Sequence, residues 1–311
     1  MALGRGVLHV AKLNIDFMGH RNIMFGISIV LVVVSIGALA VRGLTFGVEF
    51  LGGTSVTIAN TGGITSSQVG DAFKAVGVSA PNVQTTEAQG VKGFIVRTEV
   101  ASPEVANQQA GEVAKALKLS ADSFQVTTIG GGWGKNITDR AMMALILSIA
   151  AILLYISVRF EYKMSLTAVL ALVHDILITL GIYALLGAEV TPNTIAALLT
   201  ILGYSLYDTI VVFHRVKENS QHLVKQSFMS MANESINEVI VRSLNTSLTS
   251  LAPVVVMLFF GGDTLRDFAL ALTIGLTVGA YSSIGVASPI YALWKETEPK
   301  YAALRKKYAS V

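Results

Sequence analysis

Cysteine is absent from the 311 residues. Disulfides, thiol nucleophiles and cysteine-ligated metal are thereby excluded, and cysteine usage cannot report a redox compartment. Charge is scarce. Only 14% of residues are Asp, Glu, Lys or Arg, against 52% hydrophobic and a mean hydropathy of +0.61. A soluble domain usually carries about 25% charged residues. So few charges cannot cover a water-facing surface, and much of the surface must face lipid. No Walker glycine loop is present, which excludes ATP as a direct energy source here, and no HExxH metal-ligand set occurs. No metal, cofactor or enzymatic chemistry is expected. The net charge of +3 is better explained by membrane orientation than by nucleic acid.

What is present is a series of long apolar runs. A helix needs about 20 mostly apolar residues to cross a bilayer. The first candidate is Asn22–Val41. Its Ala38-Leu39-Ala40 resembles a signal-peptidase site, but the run exceeds a signal peptide's core, so it is read as an uncleaved anchor. Five more follow: Ala141–Val158, Ser165–Leu186, Pro192–Phe213, Ser243–Phe260 and Phe268–Trp294.

Lys and Arg gather on one side. Arg5, Lys12 and Arg21 precede the first run; Arg159 and Lys163, then Arg215, Lys217, Lys225 and Arg242, flank later ones. Lys295, Lys300, Arg305, Lys306 and Lys307 end the chain. The opposite short loops are Gly187–Thr191, without a cation, and Gly261–Asp267, with only Arg266. The positive-inside rule then places both termini in the cytoplasm and residues 42–140 outside. The division expected is a cytoplasmic segment 1–21, a first span 22–41, an external domain 42–140, spans 2–6 over 141–294, and a basic tail 295–311.

The external segment reads strand Thr54–Ala59, helix Ser66–Val76, strands Asn82–Glu87 and Gly93–Val100 around Gly90, then a helix capped by Ser102 with Pro103 first. A last strand covers Phe124–Ile129. The order βαββαβ is the split βαβ, ferredoxin-like α+β pattern. Gly130-Gly131-Gly132-Trp133-Gly134 is expected to link it flexibly to the second span. The domain has no His, and its scattered Glu and Lys residues fit a solvated surface. Gly47-Val48-Glu49-Phe50-Leu51-Gly52-Gly53 is not GxGxxG and is not expected to open a helix, which weakens a nucleotide reading.

Charges inside a bilayer are costly, so by default they mark a pathway. His174-Asp175 lies roughly 15 Å into the third run at the helical rise. Asp208 sits deep in the fourth, within Gly203-Tyr204-Ser205-Leu206-Tyr207-Asp208-Thr209. Arg242-Ser243-Leu244-Asn245-Thr246-Ser247 enters the fifth, where a cation meets a polar helix start. Each has a structural alternative. Asp208 fits a structural acid hydrogen-bonded to Ser or Thr. Asp175 fits the same role with His174 as partner. Arg242 fits a positive-inside anchor, and His214 a solvated face.

These segments also carry a resemblance. YDTIVVFHRVKEN (Tyr207–Asn219) resembles the fourth-span signature of the SecF family of protein-export membrane proteins. That family usually has an acid where His214 stands. GVEFLGGT (Gly47–Thr54) is similar to its motif after the first span, where Asp is usual in place of Glu49. VLALVHDILITLG (Val169–Gly181), RSLNTSLTSL (Arg242–Leu251) and the segment Phe259–Ile284 are also similar, in order and over nearly the whole chain. The linker and Asn136–Arg140 depart from the family's usual proline-containing pattern.

The resemblance implies a small member of the RND superfamily in a bacterial cytoplasmic membrane. It implies pairing with a SecD-like subunit, association with a SecYEG-type channel, and help to a translocating unfolded polypeptide using the proton-motive force. The family's intramembrane acid falls on Asp208 and its basic residue on Arg242, with His174 and Asp175 as weaker relay candidates. Gly47, Glu49, Phe50, Gly52, Gly53, Tyr207, Thr209 and Arg215 fall in its motifs. Three rivals stand beside it: an RND-type small-molecule or lipid exporter subunit, a channel scaffold without proton chemistry, and an intramembrane protease using Asp175 and Asp208.

Overall fold

The computed structural model describes residues 14–59, 63–88, 91–98 and 102–308. Arg5, Lys12, Gly90, the strand end at Val100 and the last residues of the tail lie outside the described residues.

Among the described residues, six helices are long and apolar enough to cross a membrane. The first is α1, Arg21–Arg42. After it come a two-residue strand β1 (Thr45–Phe46) and a one-turn helix α2 (Val48–Leu51). This turn corrects the expectation that the Gly47–Gly53 segment opens no helix. Gly52 and Gly53 end it at φ 75° and 129°, angles that L side chains rarely adopt. A Cβ on Gly53 would also stand 2.8 Å from the Thr98 carbonyl oxygen. The paired glycines therefore let the chain turn sharply into β2 (Gly53–Ile58).

The next elements are α3 (Ser66–Ala75), β3 (Asn82–Ala88), β4 (Val91–Thr98), α4 (Pro103–Ala116) and β5 (Phe124–Ile129). The caps explain where the helices begin. Thr65 Oγ1 accepts from the Gln68 amide while the Gln68 side chain accepts from the Thr65 amide, a capping box. Ser102 Oγ accepts from the Val105 amide, with Pro103 in the first turn. The four strands form one sheet in the order β3-β4-β2-β5, every neighbouring pair antiparallel. Its core joins Val56, Ile58, Phe94 and Val96 of the sheet to Val69 and Phe73 of α3 and Ala110 and Val113 of α4.

The second long helix, α5, runs Gly131–Arg159. This corrects the flexible linker: the glycines from Gly131 onward are helical. The reason is packing, not propensity. Gly134 is buried, and a Cβ there would stand 2.7 Å from the Phe50 carbonyl oxygen. Only glycine lets α5 lie so close to α2.

The remaining elements are α6 (Tyr162–Leu186), β6 (Glu189–Val190), α7 (Pro192–Gln221), α8 (Phe228–Phe260) and α9 (Gly262–Ser282). A π-helical turn, Ser283–Ala287, joins α9 to α10 (Ser288–Lys295), and α11 (Pro299–Tyr308) follows. Helix α8 begins at Phe228, where Ser227 Oγ accepts from the Ser230 amide. Arg242 thus sits inside a helix rather than at a helix start, which corrects the expected entry at Arg242-Ser243. Strand β6, between α6 and α7, pairs in parallel with β1: Thr45 opposes Glu189 and Phe46 opposes Val190. The chain is a multi-pass helical membrane protein carrying one small sheet domain.

Below the bundle, charged side chains hold α11. Lys163 Nζ lies 3.0 Å from Glu298 Oε1, and Lys295 Nζ lies 2.6 Å from Glu161 Oε2 and 3.0 Å from Glu298. Burial by itself would raise the Glu298 carboxyl. The hydrogen bonds and charges of Lys163 and Lys295 outweigh it and hold that carboxyl below the usual range.

Candidate functional site

Two buried acids stand in the bundle, on neighbouring helices. Asp175, on α6, is fully buried. Its Oδ1 lies 2.9 Å from His174 Nδ1. Its Oδ2 accepts from Ser205 Oγ of α7 at 2.5 Å and from Ser282 Oγ of α9 at 2.8 Å. Both carboxylate oxygens are occupied, and three helices meet there. His174 stacks at a tilt on Tyr281, whose hydroxyl donates to the Met24 carbonyl of α1 at 2.6 Å. His174 Nε2 is buried and has no hydrogen-bond partner among the described residues.

Asp208, on α7, is 2% exposed. Its Oδ2 accepts from Ser247 Oγ of α8 at 3.1 Å, with the buried Ser243 one turn earlier on α8. Ser243 and Ser247 are four apart, so they share one face of α8. A further pair of hydroxyls lies between α7 and the π-helical turn after α9; among the described residues no hydrogen bond connects them to Asp208. Thr209 Oγ1 lies 2.9 Å from Ser283 Oγ, and Ser283 Oγ also donates to the Ser205 carbonyl at 3.4 Å. Ser283 opens the π-helical turn, a distortion that aims its hydroxyl at α7. Ser205, Asp208 and Thr209 are spaced by three and four on α7, so a polar seam runs between α6, α7, α8 and α9 in an otherwise apolar core.

Arg242 is not part of that seam. It is exposed, and its Nη2 donates to Tyr207 Oη at 3.4 Å. Among the described residues no ion pair joins it to Asp208. With Ile210, Val211, His214, Arg215, Glu238 and others it lines an open groove of about 460 Å³. Arg215 there pairs with Glu238 at 2.5 Å and Glu218 at 2.7 Å. Glu49 lies on α2 with its Oε2 buried and without a hydrogen-bond partner among the described residues. Gly47, Phe50, Gly52 and Gly53 surround it in the turn between α1 and the sheet.

Reasoning from the sequence gave Ser or Thr as a partner of Asp208 only as an alternative and did not say which; it did not pair Ser205 and Ser282 with Asp175, Ser247 with Asp208, or Ser283 with Thr209. A lone serine in an apolar run carries no signal until helices far apart in the chain are brought together. It also missed Arg97. Arg97 forms an ion pair with Glu189 that is largely shielded from solvent.

The comparisons with known proteins agree with one another. Residues 109–297 match the family described as protein export membrane protein SecD/SecF, C-terminal, and residues 37–59 match the SecD/SecF GG motif. The chain is 40% identical over 317 residues to the protein translocase subunit SecF of Streptomyces coelicolor, covering 96% of this chain and 82% of that one. It is 36% identical over 286 residues to protein translocase subunit SecF of Petrotoga mobilis, covering 89% and 95%. The crystal structure of SecDF from Thermus thermophilus, a translocon-associated membrane protein, superposes with a TM-score of 0.84 at 32% identity. That match covers 92% of this chain and 39% of the longer SecDF chain. The fold, the paired glycines at Gly52–Gly53 and the family matches coincide, and the chain belongs to the SecD/SecF family of protein-export membrane proteins, on its SecF side.

Proposed function

We propose that the chain is the SecF subunit of a Sec export machine, acting with a SecD-like subunit beside a SecYEG-type channel. It promotes late movement of unfolded polypeptide across the cytoplasmic membrane of a bacterium, driven by the proton-motive force. The observation that carries this is Asp208, an acid sealed inside an apolar helix against a serine hydroxyl of α8, with a second buried acid, Asp175, on the neighbouring helix. Moving one charge through 100 mV is worth roughly 2.3 kcal/mol. That matches the few-kcal/mol gaps between protein conformers. Proton uptake and release at Asp208 therefore has enough energy to shift the packing of α7 against α8 and α9. No enzymatic step is involved. The long SecDF relative supports a SecD-like partner, because one chain there spans what this chain covers and more.

In this reading the sheet domain is ferredoxin-like and stands outside the cytoplasm, within residues 42–140, and both termini are cytoplasmic. Its core is filled by its own sheet and helices, which favours a polypeptide assistant over an exporter with a small-molecule site. Orientation is checked by labelling. The chain has no cysteine, so single cysteines at Asn107 and His222 report their own side. An impermeant reagent should label the first from outside and the second only after the membrane is opened. Labelling of both from outside would overturn the orientation.

Partnership is checked by reconstitution. The chain purified alone into liposomes should give no proton-driven translocation. Adding the SecD-like subunit and the channel should give it. A full response from the chain alone would sink the partnership.

A further inference from the structure

Arg97 lies on β4 of the sheet domain, and Glu189 lies on β6, between α6 and α7. Their ion pair is shielded, with side chains 11% and 17% exposed. Glu49 of α2 and Asp267 of α9 act on the same guanidinium. Burial lowers Arg97 from its ordinary value, and those two carboxylates oppose the shift. One cation of the sheet domain is thus drawn to acids on three elements outside the sheet.

A second tie lies beside it. Strand β1 pairs with β6, and the Gly47 amide donates to the Val190 carbonyl at 3.0 Å. The position of this tie matters. Strand β6 links α6, which carries Asp175, to α7, which carries Asp208. A displacement of either acid-bearing helix must move the link, and the link is held to the sheet domain.

An exposed ion pair contributes little. A shielded one differs: removing one partner strands a buried charge, so the pair resists separation. We propose that Arg97 and Glu189 form the coupling that transmits movement of α6 and α7 to the external sheet domain. Both are positioning residues; neither carries the proton. The proposal rests on the proton-driven reading above.

The test uses charge reversal in the assembled complex. Arg97→Glu and Glu189→Arg are each expected to lower gradient-dependent translocation by about tenfold, at unchanged amounts of complex. The double reversal is expected to recover only in part, to within about threefold of wild type, because it restores the pair in the opposite sense while Glu49 and Asp267 still oppose a carboxylate at position 97. The mutual rescue shows that the two residues act as a pair, and the label distance below shows what the pair holds in place. Spin labels at cysteines replacing Asn107 on α4 and Leu186 on α6 supply a second readout. The distance between them should be narrow in the wild type, broad in Arg97→Glu, and narrow again in the double reversal.

Single reversals that translocate like wild type, a narrow distance in Arg97→Glu, or a double reversal that recovers nothing would each overturn the coupling. Arg97→Gln replaces the reversal if Arg97→Glu does not accumulate, with the same expected broadening and loss. The label distances do not depend on proton chemistry. If Asp208 proves not to carry protons, they still decide whether this pair holds the domain to the link.

Discussion

Asp208→Asn removes the gradient-dependent part of translocation while the complex assembles in normal amount. Asp208 is buried in an apolar helix, where an acid is costly and by default marks a functional site. Asn has nearly the same size and keeps an oxygen that can accept from Ser247 Oγ, now 3.1 Å from Asp208 Oδ2. It cannot titrate near neutral pH. The substitution therefore removes the proton and leaves the packing of α7 on α8. Membrane vesicles with and without an imposed gradient separate the two components. A wild-type response to the gradient in Asp208→Asn vesicles, at equal complex, would make Asp208 a structural acid. Arg242 gives a graded companion. It is exposed and bonded to Tyr207 rather than to Asp208, so its effect comes through the field near the groove and the placement of Tyr207. Arg242→Lys keeps the charge but loses the planar fork, and it should impair less than Arg242→Ala.

The bundle was legible because length and apolarity suffice to identify a spanning helix. All six expected runs fall within helices. The order of strands and helices between residues 53 and 129 was legible for a different reason: caps such as Thr65 and Ser102 and the alternation of Val56 and Ile58 are local signals. What lay beyond the sequence depends on contacts between distant segments. The glycines before the second span look like a flexible link, and only the approach of Gly134 to the Phe50 carbonyl shows why they are helical. Helices α7 and α8 run on past the expected runs where Val216 of α7 joins Met231, Ile236 and Ile240 of α8 in one buried cluster, which the hydropathy of either run alone cannot show. Asp175 and Asp208 were visible as charges in apolar runs. Their serine partners on other helices were not, and the same holds for Arg97 and Glu189.

The second large effect belongs to Asp175, and it falls on stability. Asp175 Oδ2 receives the Ser205 and Ser282 hydroxyls, and Oδ1 meets His174. Asp175→Ala strands those groups in a dry core. Leaving a buried polar group unsatisfied costs about 1–3 kcal/mol, and some of the loss is recovered when a hydroxyl turns to a backbone carbonyl. Ser282 already has that option, since it also bonds the Gly279 carbonyl at 3.2 Å. The net loss should be about 2–5 kcal/mol, in the range for breaking a buried polar hub. Asp175→Asn keeps an acceptor oxygen for the serines and should lose less than half of that. Thermal unfolding of the detergent-purified complex gives the order: wild type, then Asn, then Ala. The gradient response of Asp175→Asn then separates the two roles this residue fits. If Asn unfolds near the wild-type temperature yet loses the gradient response as Asp208→Asn does, Asp175 carries protons. If the response per folded complex is kept, Asp175 is the clamp that holds α6, α7 and α9 in register around Asp208, and the geometry favours this second outcome because both of its oxygens are already engaged.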